Sequence, residues 1–452
     1  MKLLADLTPL RESPAFRRIW AGSTLSAVGG AMTSFAVSLQ VWDITHSTVA
    51  VGLIALVTLV PLLVVGIGGG ALIDAADTRR VVQICTVALM AVSAALTVQS
   101  WFGLRQVGLL YALVAIQSAF GSVSAPARAA ITPALLSADQ MVAAQALNRI
   151  TFQTMLIAGP ALAGVVTSLP HVGLPGCYLI DTVSFVCSMY GIARLPSEIG
   201  KKSKSDSSER TRISAITAGL SFIGRTPVLV GAFLADVNAT FFGLPTSLFP
   251  ALNAERFGGD PRTLGLFTAA IGAGGMITAV FSGPLKHMAR QGSAMLVAVS
   301  IWGAAFGAFA VAHSLWLTLL SLSVAGAADT ITVVVRGTLV SVLTPAEFRG
   351  RVMAADFVVG AGGGQLGSLE AGAVGSLTTP VISALSGGLL VIAGSVAIAL
   401  AVPEFRRYRA APAEMPPAEK GPAQTLSATP STPIEAVDGV ADRTDLAGSA
   451  SG

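Results

Sequence analysis

Asp236, Asn238 and Thr240 stand together inside an apolar run that opens at Thr226-Pro227. Asp236 lies about nine residues into that run, roughly 13 Å along a helix and close to the middle of a ~30 Å hydrocarbon core. Holding a charge there costs at least a few kcal/mol, so such a group is kept for a reason. It either couples proton movement, meets a cationic substrate group, or is a structural carboxylate hydrogen-bonded between helices. Asp329, Thr332 and Arg336 form a second stripe at helical steps of three and four. Asp329 is expected to pair with Arg336 two turns away, because an unpaired buried acid is costly; the other reading has it answering a cavity. Gln117, Gly121, Ser124 and Arg128 make a third stripe, read either as cavity lining or as polar glue between helices.

Other polar residues carry less. Asp181, Asp356 and Glu370 fall towards span ends and read as interfacial or packing groups, and Arg149 as a side chain that snorkels to the surface. The four His, at 46, 171, 287 and 313, lie at span ends or in connections. No Ser/His/Asp, Cys/His or metal-ligand set shares one depth, so neither enzyme chemistry nor a metal site is expected. No Gly-x-x-x-x-Gly-Lys-Ser/Thr occurs, which excludes a phosphate-binding loop for ATP, and no cofactor is expected. Cys85, Cys177 and Cys187 make no closed disulfide framework and read as packing residues.

The elements that position these groups are long and apolar. The chain is 53% hydrophobic and 12% charged, with a mean hydropathy of +0.73. Twelve spans are expected, near 17–41, 49–73, 81–103, 107–127, 142–168, 174–194, 227–250, 263–285, 292–312, 315–336, 352–377 and 380–402. The first half repeats in the second. Ser13-Pro14 answers Thr226-Pro227, Gly52 answers Gly265, and Gly70-x-Leu72 answers Gly283-x-Leu285, each 213 residues on. Thr132-Pro133 and Thr344-Pro345 follow at 212. A repeat of this kind builds many secondary transporters. The expected fold is therefore an all-α integral membrane protein of two pseudo-symmetric six-helix bundles, residues 1–195 and 227–402.

With both termini cytoplasmic, only Arg105, Arg256 and Arg262 among 28 Lys and Arg fall in outer loops. That asymmetry fixes an inside N-terminus, in a cell inner (plasma) membrane, with anionic lipids as neighbours and no nucleic acid. Residues 196–226 form a cytoplasmic linker. Ile213, Ile216, Leu220 and Ile223 predict an amphipathic helix within it, or else an early start to span seven. Residues 403–452 read as a disordered cytoplasmic tail, with Arg406, Arg407 and Arg409 anchoring the last helix at the inner surface.

Gly70-Ala-Leu72-Ile-Asp74, with Arg79 and Arg80 beyond, resembles the signature loop of the major facilitator superfamily. The pattern departs at Ala75, Asp77 and Thr78. The resemblance implies a conformational latch of Gly70, Asp74, Arg79 and Arg80, biasing the carrier outward, and no matching latch at His287. Gly159-Pro160-Ala-Leu-Ala-Gly164 resembles the superfamily's antiporter motif, which implies efflux; small residues packing a helix are the plainer reading. Ser13-Pro-Ala-Phe-Arg17, Val51-Gly-Leu53 and Pro126-Ala-Arg-Ala-Ala-Ile-Thr-Pro133 are similar to the drug and siderophore efflux branch that holds enterobactin exporters and macrolide efflux proteins. The likeness implies a monomer whose spans one, four, seven and ten line a central cavity.

The leading expectation is a secondary active exporter, driven by protons through a carboxylate such as Asp236. Its small-molecule cargo would be a siderophore, a drug or another amphipathic compound. An uptake permease of the same fold is the alternative, followed by a non-transporting scaffold or receptor acting through its tail.

Overall fold

The computed structural model describes residues 7–75, 77–195, 209–281, 288 and 290–409, without the side chains of 67–75, 138 and 209–213. Among the described residues there are helices and connections only. Hydrocarbon imposes this, since each span must satisfy its own N–H and C=O groups. A short helix α1 (Thr8–Glu12) leads into α2 (Pro14–Thr45), α3 (Thr48–Ala75), α4 (Thr78–Trp101), α5 (Val107–Ile131), α6 (Met141–Thr167) and α7 (Gly173–Ala193). Then α8 (Glu209–Arg225) joins these to α9 (Pro227–Phe242), α10 (Phe249–Phe257), α11 (Pro261–Val280) and α12 (Gln291–Val311). The chain continues through α13 (Leu315–Leu343), α14 (Ala346–Leu377), α15 (Pro380–Ala401) and α16 (Pro403–Arg407).

The two halves start alike. Helices α2, α3 and α4 begin at Pro14, Thr48 and Thr78; α9, α11 and α12 begin at Pro227, Pro261 and Gln291, each 213 residues later. Ser13 (φ −111°, ψ 95°) and Thr226 (φ −113°, ψ 96°) share one backbone conformation. A following proline pushes its predecessor out of the helical region and itself starts the helix. The cap chemistry differs, however. The Ser13 hydroxyl accepts from the Phe16 N–H at 3.2 Å, whereas the Thr226 hydroxyl donates back to the Phe222 carbonyl.

Within the first half α2 packs on α6 and α7, and α4 on α5 and α7; within the second, α12 packs on α13 and α15. The halves meet along two seams, α3 against α14 and α6 against α11.

Eleven stretches of the described chain are long and apolar enough to cross a membrane, rather than the twelve expected. The exception is α14. It is 32 residues long, but it carries Arg349, Arg351, Asp356 and Glu370 among many glycines. It lies against α3, α8 and α9, so protein rather than lipid surrounds much of it.

Three further differences have physical causes. Span seven, expected unbroken over 227–250, stops at Phe242 and resumes at Phe249 after a single tight turn over Thr246–Leu248. Pro245 supplies no N–H and its ring crowds the preceding turn. Gly243, at the end of α9, lets the chain pass close to Trp302, since a Cβ there would stand 2.5 Å from its Nε1. Its counterpart α2 runs 32 residues without a break. Next, residues 403–409 are not unstructured: Pro403–Arg407 is helical, with Phe405 wholly buried against Gly231 and Gly292. Lastly, α8 is a helix of its own and not the start of α9. Its Phe222 stacks on Phe348 of α14 with ring centroids 5.2 Å apart. The loop over 196–208, the Gly283–His287 copy of the latch and residues 410–452 lie outside the described residues.

Candidate transport site

A cluster of opposite charges gathers from three helices of the second half. Asp236 comes from α9, Arg336 from α13 and Asp356 from α14. The Arg336 Nη1 donates to the Asp236 Oδ2 at 2.7 Å and stands 3.0 Å from the Asp356 Oδ1, an ion pair without hydrogen-bond alignment. The guanidinium also lies 5.9 Å from the Phe233 ring centroid, within cation–π range. Exposure is graded: the side chains of Asp236 and Arg336 are 6% and 12% exposed, and that of Asp356 is 35% exposed. One end of the cluster is therefore sealed and the other partly exposed.

This arrangement corrects two expectations. Arg336 pairs across helices with Asp236, rather than along its own helix with Asp329. An aspartate carboxylate is too short to span two helical turns, whereas α9 presents Asp236 directly. Asp356, read as a packing group, is the cluster's third member. Its place near a span end concealed this, because its partner lies on another helix. Asp329 is half-buried and within electrostatic reach of Asp236, Arg336 and, from α6 of the other half, Arg149.

Two other candidates are held in packing contacts between helices. Asn238 donates its Nδ2 to the Val391 carbonyl at 2.8 Å, pinning α9 to α15. Arg128 reaches into the first bundle and donates to the hydroxyls of Ser124, Ser23, Ser188 and Thr86 at 2.8–3.1 Å. In the same bundle Asp181, wholly buried, accepts from Thr33 at 2.8 Å and Ser93 at 2.6 Å. It is a core group, not an interfacial one.

Between the halves lie two cavities of about 230 and 530 Å³ that share Ser34, Ser38 and Thr246. The smaller is polar, with Gln117 of α5 across from Gln365 and Ser368 of α14. The larger adds Phe35, Met155, Leu156, Pro160 and Phe249. Thr246 reaches both because it sits in the break of span seven, and irregular backbone at membrane depth is tolerated where it lines a cavity. Gln117 was foreseen; Ser34, Ser38, Thr246 and Gln365 were not. The signal that could have found Thr246 is Gly243-Leu-Pro245, a helix breaker inside an apolar run.

Both seams bound this space at one end. Along α3–α14, Thr48 donates to the Gly372 carbonyl at 2.8 Å; beside it, within the second half, Ser247 in the break of span seven donates to the Ser368 carbonyl at 2.6 Å. Along α6–α11 the backbones nearly touch. A Cβ on Gly164 would stand 2.5 Å from the Pro261 carbonyl oxygen, and one on Gly265 would stand 2.5 Å from that of Pro160. The Gly159-Pro160-Gly164 motif thus packs in two directions: Gly159 seats Ala31 of α2 within the first half, and Gly164 seats α11 of the second. Of the expected latch, Arg79 donates its Nη2 to the Ala193 carbonyl at 2.8 Å and Arg80 stands 3.9 Å from Asp77. Gly70 and Asp74 lie in α3, but their side chains are not described. Among the described residues no group of three or more His, Cys, Asp or Glu is gathered to hold a metal ion.

Comparison with known proteins adds a family to this geometry. Enterobactin exporter EntS of Escherichia coli (strain SMS-3-5 / SECEC) is 26% identical over 418 residues, covering 91% of this chain and 97% of the relative. EntS of Salmonella choleraesuis (strain SC-B67) is 28% identical over 411 residues, covering 90% and 97%. Among solved structures, a bacterial homologue of the iron transporter ferroportin in an inward-facing state superposes with a TM-score of 0.67 at 16% identity. The match covers 85% of this chain and 98% of that one. A peptide transporter POT in complex with sulfate gives 0.68 at 12%, covering 87% and 95%; at such identities the likeness is one of fold. A family model described as transmembrane secretion effector matches residues 4–428. A match of that length takes in both halves and both seams, and the chain is a member of this multi-pass transporter family of the major facilitator superfamily.

Proposed function

We infer that this protein is a proton-coupled secondary exporter of a siderophore-like or other amphipathic small molecule. It works as a monomer in the inner membrane with both termini cytoplasmic. The observation that carries the reading is the cavity shared by the two halves beside the broken span seven. Its walls join serine, threonine and glutamine to phenylalanine and methionine, and among the described residues that line it none is charged. Such a surface suits a cargo with both hydrogen-bonding and apolar faces. The relatives, enterobactin exporters, supply the type of cargo and the direction.

Bundles 1–195 and 227–402, joined by 196–226, rock about the cavity, and α14 serves as the twelfth span. The seams close the outer end in this state, so the cavity loads from the cytoplasm or inner leaflet. Asp236, Asp356 and Asp329 share two guanidiniums, Arg336 and the more distant Arg149, and a proton from outside offsets the remaining negative charge. Positioning therefore falls to the cavity and coupling to the cluster.

Everted membrane vesicles test direction. With an acid interior they accumulate enterobactin if the protein exports, and take up none if it is an uptake permease. The cavity is tested by Gly30→Phe. Gly30 lines the larger space, and a Cβ on it meets nothing within 4 Å. The variant is expected to melt like the wild type and to lose vesicle uptake; undiminished uptake would remove the cavity from the account.

A further inference from the structure

Four arginines converge where the last helix leaves the membrane. Arg290 precedes α12, and Arg406, Arg407 and Arg409 lie on or just past α16; together with Ser293 they line a space of about 400 Å³. All four are exposed, and among the described residues none takes part in an ion pair. Guanidinium groups stay charged at any physiological pH, so four of them around one space repel each other until an anion enters.

The cluster is positioned by the fold, not by chance proximity of surface side chains. Phe405 is wholly buried, and Gly231 and Gly292 leave no room for a Cβ beside it. Ser293 donates its hydroxyl to the Arg406 carbonyl at 2.7 Å. These contacts hold the α16 arginines against the start of α12, facing Arg290.

The polar space continues into an apolar one. A groove of about 430 Å³ shares Arg290 and Ser293 with it and runs along Val297 and Ile301 of α12 towards Ile331 of α13. Val297 is 58% and Ile301 42% exposed. A soluble phosphate would need only the arginines. A polar anion site opening directly onto a membrane-facing apolar groove matches a molecule with an anionic head and a hydrocarbon chain.

We propose that Arg290, Arg406, Arg407 and Arg409, together with the α12–α13 groove, form a binding site for an anionic phospholipid. The headgroup phosphate sits among the guanidiniums and an acyl chain lies along Val297 and Ile301. The topology inferred above puts this site in the inner leaflet, so the lipid would brace α12 and α16 of the second bundle from the cytoplasmic side. That placement rests on the proposed topology; the binding itself does not, and its test needs no transport.

The experiment is native mass spectrometry of the full-length protein in detergent, given equal amounts of phosphatidylglycerol and phosphatidylethanolamine. Retention of phosphatidylglycerol over phosphatidylethanolamine is expected. The double variant R290Q/R406Q alters exposed side chains only, and should weaken it roughly thirty-fold if each arginine contributes as basic residues near a membrane surface do. Ala294→Phe, which fills the groove, and Ile301→Ser, which strips it at an exposed position, should each weaken lipid retention with the arginines intact. Three results would overturn the proposal. They are equal retention of the two lipids, undiminished retention in R290Q/R406Q, and displacement of phosphatidylglycerol by millimolar inorganic phosphate with both groove variants silent. The last would assign a soluble phosphate instead.

Discussion

Arg336→Gln is expected to cost the purified protein about 3–5 kcal/mol of stability, the usual penalty for removing one partner of a buried ion pair. The reason is the 6% exposure of the Asp236 side chain. Without the guanidinium at 2.7 Å, that carboxylate has neither a cation nor water to balance it. Asp356, at 35% exposure, can hydrate and should contribute little to the loss. A thermal melt in detergent reads the effect directly. The double variant D236N/R336Q separates packing from charge, since two neutral amides can hydrogen-bond across the same gap. It should recover most of the melting temperature, and transport should stay absent if the charges carry the coupling. An R336Q protein that melts like the wild type would mean the cluster is already hydrated and the pair is ornamental.

Gly164→Leu should hold the carrier open to the outside. The position is seated on the α11 backbone, 3.1 Å from the Arg262 Cα even for a bare Cβ. A leucine cannot be accommodated by a rotamer change, because the opposing atoms are main chain. Overpacking of this kind costs about 1–3 kcal/mol. Here the penalty applies only to the state in which α6 and α11 touch, so it shifts the balance between states by about five- to 150-fold. The readout is labelling of Ser34→Cys by a membrane-impermeant thiol reagent, after Cys187, the exposed native cysteine, is replaced by serine. Labelling from outside should rise and efflux should fall together. Labelling that remains confined to the cytoplasmic side would mean that this seam is not a gate.

Much of the architecture was legible because lipid leaves so few choices. Uninterrupted apolar runs must be helices, and X-Pro steps mark their starts, so Ser13-Pro14 and Thr226-Pro227 located α2 and α9 and the register between them. What stayed hidden is which way each polar residue faces. A soluble helix separates its faces by polarity, but a membrane helix is apolar on both. Nothing local distinguished Asp236, which meets a guanidinium, from Asn238 two residues on, which pins α15. Partners lay out of view for the same reason. Arg336 is 100 residues from Asp236 in sequence, and Arg128 is 105 from Ser23. The break in span seven was visible as Gly243-Leu-Pro245, yet the length of the apolar run outweighed it. The sharing of Ser34, Ser38 and Thr246 between two cavities is a property of the assembled halves alone.

In the proposed exchange of cargo for protons, the second-bundle cluster carries the coupling. The direct measurement is the internal pH of everted, acid-inside vesicles, reported by a trapped dye as enterobactin is added. Wild-type vesicles should lose protons as cargo enters, and Asp236→Asn vesicles should show cargo movement without proton movement, or neither. Full proton exchange in Asp236→Asn vesicles, or cargo entry that leaves the wild-type gradient unchanged, would contradict it.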